Sequence, residues 1–159
     1  MTFEIHAISP AVLERARADA ARSGGPGFAR MVATGGEPLR CCLRDAEAGE
    51  ELLLFTYEPP LPASPYREVG AVFAHAATCA GPDPSGAASG EHPAGWRGRP
   101  QVLRAYDERG WIHPNTRVHD GSDPDGALAA VFDDPAVVQV HSRNVAYGCF
   151  MFVATRSSR

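Results

Sequence analysis

Short apolar runs and alternating apolar and polar positions dominate this chain, and they predict a protein rich in β-strands. The run at residues 51–57 is almost continuously apolar, which is typical of a strand buried on both faces. Two later segments flank the turn Glu108-Arg109-Gly110 and predict a hairpin. The predicted strands cover residues 3–8, 51–57, 69–75, 101–107, 111–119, 136–142 and 148–155.

Two segments show helical rather than strand spacing. Ser9 and Pro10 form a helix start, with Ser as the N-cap, and the helix should end at 24–26. Residues 122–125 start a second helix that ends at 134–135. The buried face of this second helix is predicted to consist of Leu128, Val131 and Phe132. Between the first helix and Glu50 the sequence predicts irregular structure.

The mixture of elements predicts the α+β class: a single domain over residues 1–159, with a mostly antiparallel β-sheet and two helices packed on one face. Residues 79–100 are rich in Gly, Pro, Ser and Ala, and we expect a flexible loop or lid there. Trp96 and Arg97 favour partial ordering of its end.

Composition narrows the classes of function. The net charge of −4 argues against nucleic-acid binding, and all 15 basic residues are arginines, which excludes a lysine nucleophile. The chain shows neither a signal-peptide pattern nor an apolar run of about 20 residues, so we expect a cytoplasmic protein, away from membranes, with reduced cysteines. A homodimer remains one possible assembly.

A polar tetrapeptide, residues 141–144 (HSRN), lies between two apolar runs near the chain end. Polar side chains inside a strand need partners or water, so this segment is either a structural corner or the floor of a site. Alternation places His141 and Arg143 on the same face of the strand near the chain end. It also places Arg104 and Tyr106 on the same face of the strand at 101–107, and the two faces could meet. In the predicted strand at 111–119, the polar face would carry His113, Asn115, Arg117 and His119.

These residue types suit an anionic small molecule held by arginine, with histidine placed for proton transfer. We therefore predict a small, cofactor-free enzyme that performs isomerisation, elimination or cyclisation. The candidate catalytic residues are His141, His75 and His119. The candidate substrate-binding residues are Arg143, Asn144, Arg104, Tyr106, Tyr66 and Arg67.

Three other interpretations stay open. The polar faces could simply be solvated sheet surface, and the protein could be a non-catalytic binding or scaffold module. A metal site is the weaker alternative, since His75 and Cys79 have metal-ligand spacing. The extra ligands considered for such a site are His113, His119, His141 and Cys149. No cofactor motif is present, so we expect no cofactor.

The sequence also resembles a family of small bacterial proteins, the domain of unknown function 1203 family. The blocks that carry the resemblance are RCCLRDA at 40–46 with Gly49, LLLFTY at 52–57, SPYR at 64–67, VFAH at 72–75, LRAYD at 103–107 and VHSRNVAYGCF at 140–150. The family often has GPIFVH where this chain has GAVFAH at 70–75. The resemblance carries no activity, but its recurring polar residues imply a shared pocket. They are Tyr66, Arg67, His75, Arg104, Tyr106, His141, Arg143 and Asn144.

Overall fold

The computed structural model describes residues 2–23, 25–84 and 90–158. The strands are β1 (Phe3–His6), β2 (Phe28–Val32), β3 (Pro38–Leu39), β4 (Arg44–Asp45), β5 (Glu51–Tyr57), β6 (Gly70–His75), β7 (Gln101–Tyr106), β8 (Arg117–His119), β9 (Gln139–Asn144) and β10 (Phe150–Arg156). The helices are α1 (Pro10–Ser23) and α2 (Pro124–Val131), with a short 3-10 helix at Ala94–Trp96.

The strands form two five-stranded sheets. Sheet A has the order β1-β10-β9-β7-β8, and sheet B has the order β2-β5-β6-β3-β4. Neighbouring strands are antiparallel except β3 and β6, which pair in parallel through Leu39 and Phe73. The predicted α+β class with mostly antiparallel pairing is confirmed, although the strands divide between two sheets.

Each sheet has its own apolar cluster, and β10 contributes to both. Phe152 and Ala154 lie in the cluster of sheet A, whereas Phe150 and Val153 lie in the cluster of sheet B. A strand that is apolar on both faces must be covered on both faces. Accordingly, α2 belongs to the first cluster and α1 to the second, so the helices cover different clusters and do not share one face.

The predicted helix starts agree with the structure. The Val12 amide donates to Ser9 Oγ at 3.4 Å at the start of α1. Asp123 caps α2, since its carboxylate accepts from the Gly126 amide at 3.0 Å. Leu128, Val131 and Phe132 are buried, as the apolar spacing predicted.

The predicted strand at 111–119 is wrong over most of its length. Residues 113–116 form a turn in which the His113 carbonyl accepts from the amide and the hydroxyl of Thr116. Pro114 has no amide hydrogen to donate to a strand ladder. Pairing in β8 begins only at Arg117, so the polar residues from 113 to 119 do not share one strand face.

The segment predicted to be irregular up to Glu50 contains β2, β3 and β4. These strands are short or largely exposed, so they lack an apolar signal. The expected flexible lid falls partly on residues 85–89, which lie outside the described residues. In the described part of that segment, Trp96 is buried and stacks on Phe152 with ring centroids 6.4 Å apart.

Candidate functional site

A cluster of three cysteines and one histidine forms on sheet B. Residues 40–43 make the turn between β3 and β4, and this turn carries Cys41 and Cys42. His75 ends β6, the strand beside β3, and Cys79 follows in the next loop. We call Cys41, Cys42, His75 and Cys79 the Cys3His cluster. Parallel pairing of β3 with β6 brings the two chain segments together, because the Arg40 amide donates to the Phe73 carbonyl at 2.9 Å.

The ligand atoms of the Cys3His cluster all lie within 4.8 Å of one another. The two sulfur atoms of Cys41 and Cys42 are 3.9 Å apart. His75 Nδ1 lies 3.4 Å from Cys41 Sγ and 3.9 Å from Cys42 Sγ. The side chains therefore converge on one point, although they come from three places in the sequence.

These separations match a tetrahedral zinc site. With Zn–S bonds of about 2.3 Å and a Zn–N bond of about 2.0 Å, two sulfurs lie about 3.8 Å apart, and sulfur and nitrogen about 3.5 Å apart. The longest separation in the cluster would have to shorten by about 1.0 to 1.3 Å at most. Three thiolates and one imidazole form a donor set that favours zinc over hard cations such as Mg²⁺.

Glu50 orients the histidine of the cluster. One of its carboxylate oxygens lies 2.9 Å from His75 Nε2, so Nε2–H donates there and Nδ1 keeps its lone pair toward the sulfurs. Arg44 holds the same carboxylate with two hydrogen bonds, of 3.0 and 2.7 Å. A carboxylate behind the ligating histidine is the usual outer-shell arrangement of zinc sites.

The three thiols of the cluster differ in the direction of their pKa shifts. Hydrogen bonding to Cys42 and burial raise the pKa of Cys41, whereas the hydrogen bond from Cys41 lowers the pKa of Cys42. Burial raises the pKa of Cys79. The three thiols would not all ionise by themselves, but a bound metal cation deprotonates coordinating thiols.

Two arginines help to balance the negative charge of a metal–thiolate centre. Arg44 lies on the outer side of His75, where both side chains contact the Glu50 carboxylate. Arg17 of α1 donates from Nε to the His75 carbonyl at 3.1 Å, and its buried Nη2 has no hydrogen-bond partner among the described residues. A cavity of about 590 Å³ borders Cys41, Cys79 and Arg17, and it gives the cluster an open approach from the side of α1.

A second group of polar residues gathers around Glu68, on sheet A. Its carboxylate accepts from Arg104 at 3.0 Å and also from Arg143. His141 lies beside this group, with its ring centroid 4.6 Å from that of Tyr106. Tyr66 borders the same depression. The structure thus brings together five of the eight residues that the family resemblance implied for a shared pocket: His141, Arg143, Arg104, Tyr106 and Tyr66.

This second group is closely packed. The depression between Tyr66, Glu68, Tyr106 and His141 leaves no room for a water molecule. Burial lowers the pKa of His141 to about 4, and its Nε2 is bonded to Gln139 at 3.0 Å. The geometry is that of a closely packed polar cluster in which Glu68 occupies the place where a substrate anion would be held. Its hydrogen bonding is incomplete, because the buried Nε of Arg143 has no partner among the described residues.

The remaining candidates lie elsewhere. His75 belongs to the Cys3His cluster. His119 packs against His92 at a centroid distance of 6.1 Å, Arg67 pairs with Glu58, and Asn144 lies at the end of β9. His113, His119, His141 and Cys149, which were considered as extra metal ligands, are not members of the cluster formed by the described residues.

Cys41 and Cys42 are the members of the cluster that the sequence analysis did not identify. The spacing of His75 and Cys79 gave half of the signal, and the other cysteines were expected only to be reduced. Their membership depends on the parallel pairing of β3 and β6, two strands that are more than thirty positions apart in the sequence. No local signal in the sequence links Cys41 and Cys42 to His75 and Cys79, because the pairing that joins them is a long-range contact.

The fold and the site define an α+β protein of two sheets with a Cys3His cluster. Residues 36–156 match the model of a family described as protein of unknown function, DUF1203. The match spans well over half of the chain, so the protein belongs to this family. Neither the curated proteins nor the solved structures contain a significant match. No helix within the described ranges is long and apolar enough to cross a bilayer.

Proposed function

We propose that this protein binds a transition-metal ion, with zinc as the expected ion, through the Cys3His cluster. The observation that carries the proposal is the convergence of four ligand atoms within 4.8 Å of one another. Glu50 on the outer nitrogen of His75 supports it as well, because histidines that ligate a metal usually donate their other ring N–H to a carboxylate.

The proposed role of the metal is to fix local structure. Four protein ligands complete a tetrahedral zinc shell and leave no position for a water molecule, which is the pattern of structural sites. The ion would tie the turn at 40–43 to the end of β6 and to the loop that carries Cys79. The expectation of a protein without a cofactor is replaced, in this proposal, by a protein with a bound metal.

Metal binding and disulfide formation make different use of the cysteines. The Cys41 and Cys42 sulfurs are 3.9 Å apart, well beyond a disulfide bond length, and a bridge between sequence neighbours strains the backbone. Zinc binding requires the three cysteines of the cluster to be reduced, whereas disulfide formation removes two free thiols for each bridge. The number of free thiols, counted with and without zinc, therefore distinguishes metal binding from disulfide formation.

The test is a cobalt(II) and zinc titration of reduced, untagged protein. We expect one equivalent of cobalt to produce strong visible bands of tetrahedral geometry with thiolate charge transfer, and zinc to displace it. Cys42→Ser and His75→Gln should lose these bands. Cys149→Ser is the matched control, because Cys149 lies outside the cluster, and it should behave as the wild type. Absence of tetrahedral bands, or equal bands in Cys42→Ser, would refute the proposal.

An acid–base enzyme centred on His141 is the second candidate. It is favoured by the assembly of His141, Arg104 and Arg143 around Glu68. For this function, a substrate carboxylate would have to replace Glu68 as the hydrogen-bond partner of Arg104 and Arg143.

The variant His141→Ala distinguishes a catalytic His141 from a structural one. A catalytic His141 predicts an almost unchanged melting temperature, and a structural His141 predicts a large fall, since Gln139 and the packed rings lose their partner.

A further inference from the structure

A separate cavity lies between the two sheets, away from the Cys3His cluster. Its volume is about 370 Å³, which is within the range of small-molecule sites. Sheet B contributes Phe73 and Ala71, and the turn after β3 contributes Arg40. Sheet A contributes Met151, and the connection from β9 to β10 contributes Tyr147 and Cys149. We call this space the intersheet cavity.

Arg40 is the unusual residue in its wall. It is 2% exposed, and its Nε and Nη1 donate to the carbonyls of Phe150 and Pro38. None of the carboxylates in the described part of the chain forms an ion pair with it. Asp45 and the Cys149 thiol act on its charge, but no carboxylate of the described residues contacts it directly, so a guanidinium buried in this way at a cavity wall suits an anion.

The rest of the wall defines what kind of anion would fit. Phe73, Met151 and the ring of Tyr147 offer apolar surface, and Asn144 adds an amide at one side. Arg99 stands at the entrance, where it is paired with Asp45. No carboxylate of the described residues lines the cavity itself. The occupant would therefore have an apolar body and one negative group.

We propose that the intersheet cavity binds a small organic carboxylate, with its carboxylate at Arg40 and its apolar body against Phe73 and Met151. None of its lining residues belongs to the Cys3His cluster, although Arg40 lies in the turn that also carries Cys41 and Cys42, so the test is made on zinc-loaded protein. It gives the anionic small molecule expected from the sequence a place other than the packed group around Glu68. Cys149, which lines the same cavity, supplies a reporter for occupancy.

The test uses two probes of equal shape, 2-naphthoate and 2-naphthamide, on the full chain loaded with zinc. The rate of Cys149 alkylation by iodoacetamide is followed by peptide mass spectrometry. We expect millimolar naphthoate to slow Cys149 alkylation at least about tenfold, and naphthamide to slow it much less, since a charge-assisted hydrogen bond from the remaining guanidinium hydrogens of Arg40 needs the carboxylate charge. Equal protection by both probes, or none by naphthoate, would overturn the proposal.

Two variants and a control separate the cavity from nonspecific effects. Ala71 is exposed and lines the cavity, so Ala71→Leu should fill it without disturbing the fold and should abolish protection. Ala18→Leu, on the exposed side of α1, should leave protection intact. Arg40→Met, if it folds, should bind both probes alike. Full protection by naphthoate in Ala71→Leu would contradict the proposed site even where Arg40→Met fails to fold.

Discussion

At the scale of single residues, the adjacent cysteines depend on an unusual neighbour. Leu43 has a φ of 58°, which a branched side chain rarely adopts. Its amide donates to the Leu39 carbonyl at 2.9 Å, and its side chain is buried in the cluster of sheet A. Packing therefore holds the strained residue, and the turn that it closes presents Cys41 and Cys42 side by side. Such strain is typical of sites that hold a ligand.

Glu50 should set the affinity of the metal site without touching the metal. Glu50→Gln keeps the size of the side chain but removes the charge that stabilises the Nε2–H of His75. We expect zinc affinity to fall by about 10- to 100-fold, as for other outer-shell partners of ligating histidines. The measurement is competition against a colorimetric chelator. Glu51→Gln, at the exposed next position, should not change affinity, and an equal loss there would refute the role of Glu50.

Buried His141 should make stability depend on pH. Burial lowers its pKa from 6.5 to about 4, so the fold holds the neutral form. Its contribution to stability is complete above pH 6.5 and is lost as the pH falls toward 4, by up to about 3 kcal/mol. Burial also lowers the pKa values of His92 and His119, so both residues add to the loss of stability at low pH.

The measurement for His141 is the free energy of unfolding between pH 7 and 4.5, in chelator to remove any metal contribution. His141→Gln should be less stable at pH 7 and should show a shallower decline on acidification. The exposed His6 gives the control, since His6→Gln should keep the slope of the wild type. An unchanged slope in His141→Gln would mean that its pKa is not lowered by burial.

At the scale of elements, the strongly patterned segments were predicted well and the weakly patterned ones were not. The continuous apolar run of β5 and the capped starts of both helices are local signals. β3 and β4 have two residues each, and no periodicity can be read from two positions. Pro114 should have prevented a strand assignment at 111–119, because a proline inside a run argues against a paired strand.

The two candidate sites also differ in how far the sequence pattern predicts them. The faces of β7 and β9 were predicted correctly, because alternation decides them, and Arg104 does lie opposite His141 in the register. The position of Glu68 between these side chains could not be predicted, because Glu68 lies in a loop without apolar periodicity. The Cys3His cluster depends on the pairing of β3 with β6, which is a long-range contact with no local signal.

Hydrogen exchange should show that the metal orders the elements that supply its ligands. We expect zinc to protect the amides of the turn at 40–43 and of residues 75–79, because the ion links these segments. The amides of β9 form an internal comparison, since β9 belongs to sheet A and the cluster lies on sheet B. Chelator should increase exchange in the first group by more than in β9, which responds only to the stability of the whole domain. Uniform or absent changes would argue against a local clamp.

At the scale of the whole molecule, the two sheets meet at the turn that carries the cysteines. Arg40 in this turn donates to the Phe150 carbonyl of sheet A at 2.8 Å. Trp96 Nε1 donates to Asp45 of β4 at 2.8 Å, which adds a second link between the sheets. A metal that fixes the turn at 40–43 therefore stabilises contacts between both halves of the protein.

Zinc should accordingly raise the melting temperature of the entire domain. At free zinc about 1,000-fold above the dissociation constant, binding to the folded state contributes about 4 kcal/mol. For a chain of this size, that corresponds to roughly 8–16 °C. Calorimetry with zinc and with chelator measures the difference, and Cys79→Ser should lose it. An identical melting temperature in both conditions would contradict a structural metal.

The most direct test of the metal assignment is the native mass of untagged protein purified under reducing conditions, compared with its denatured mass. We predict an excess of one zinc ion that disappears on denaturation and is missing from Cys42→Ser but present in Cys149→Ser. A bare native mass after growth and purification with added zinc, or an ion retained equally by Cys42→Ser, would show that the Cys3His cluster is not a metal centre.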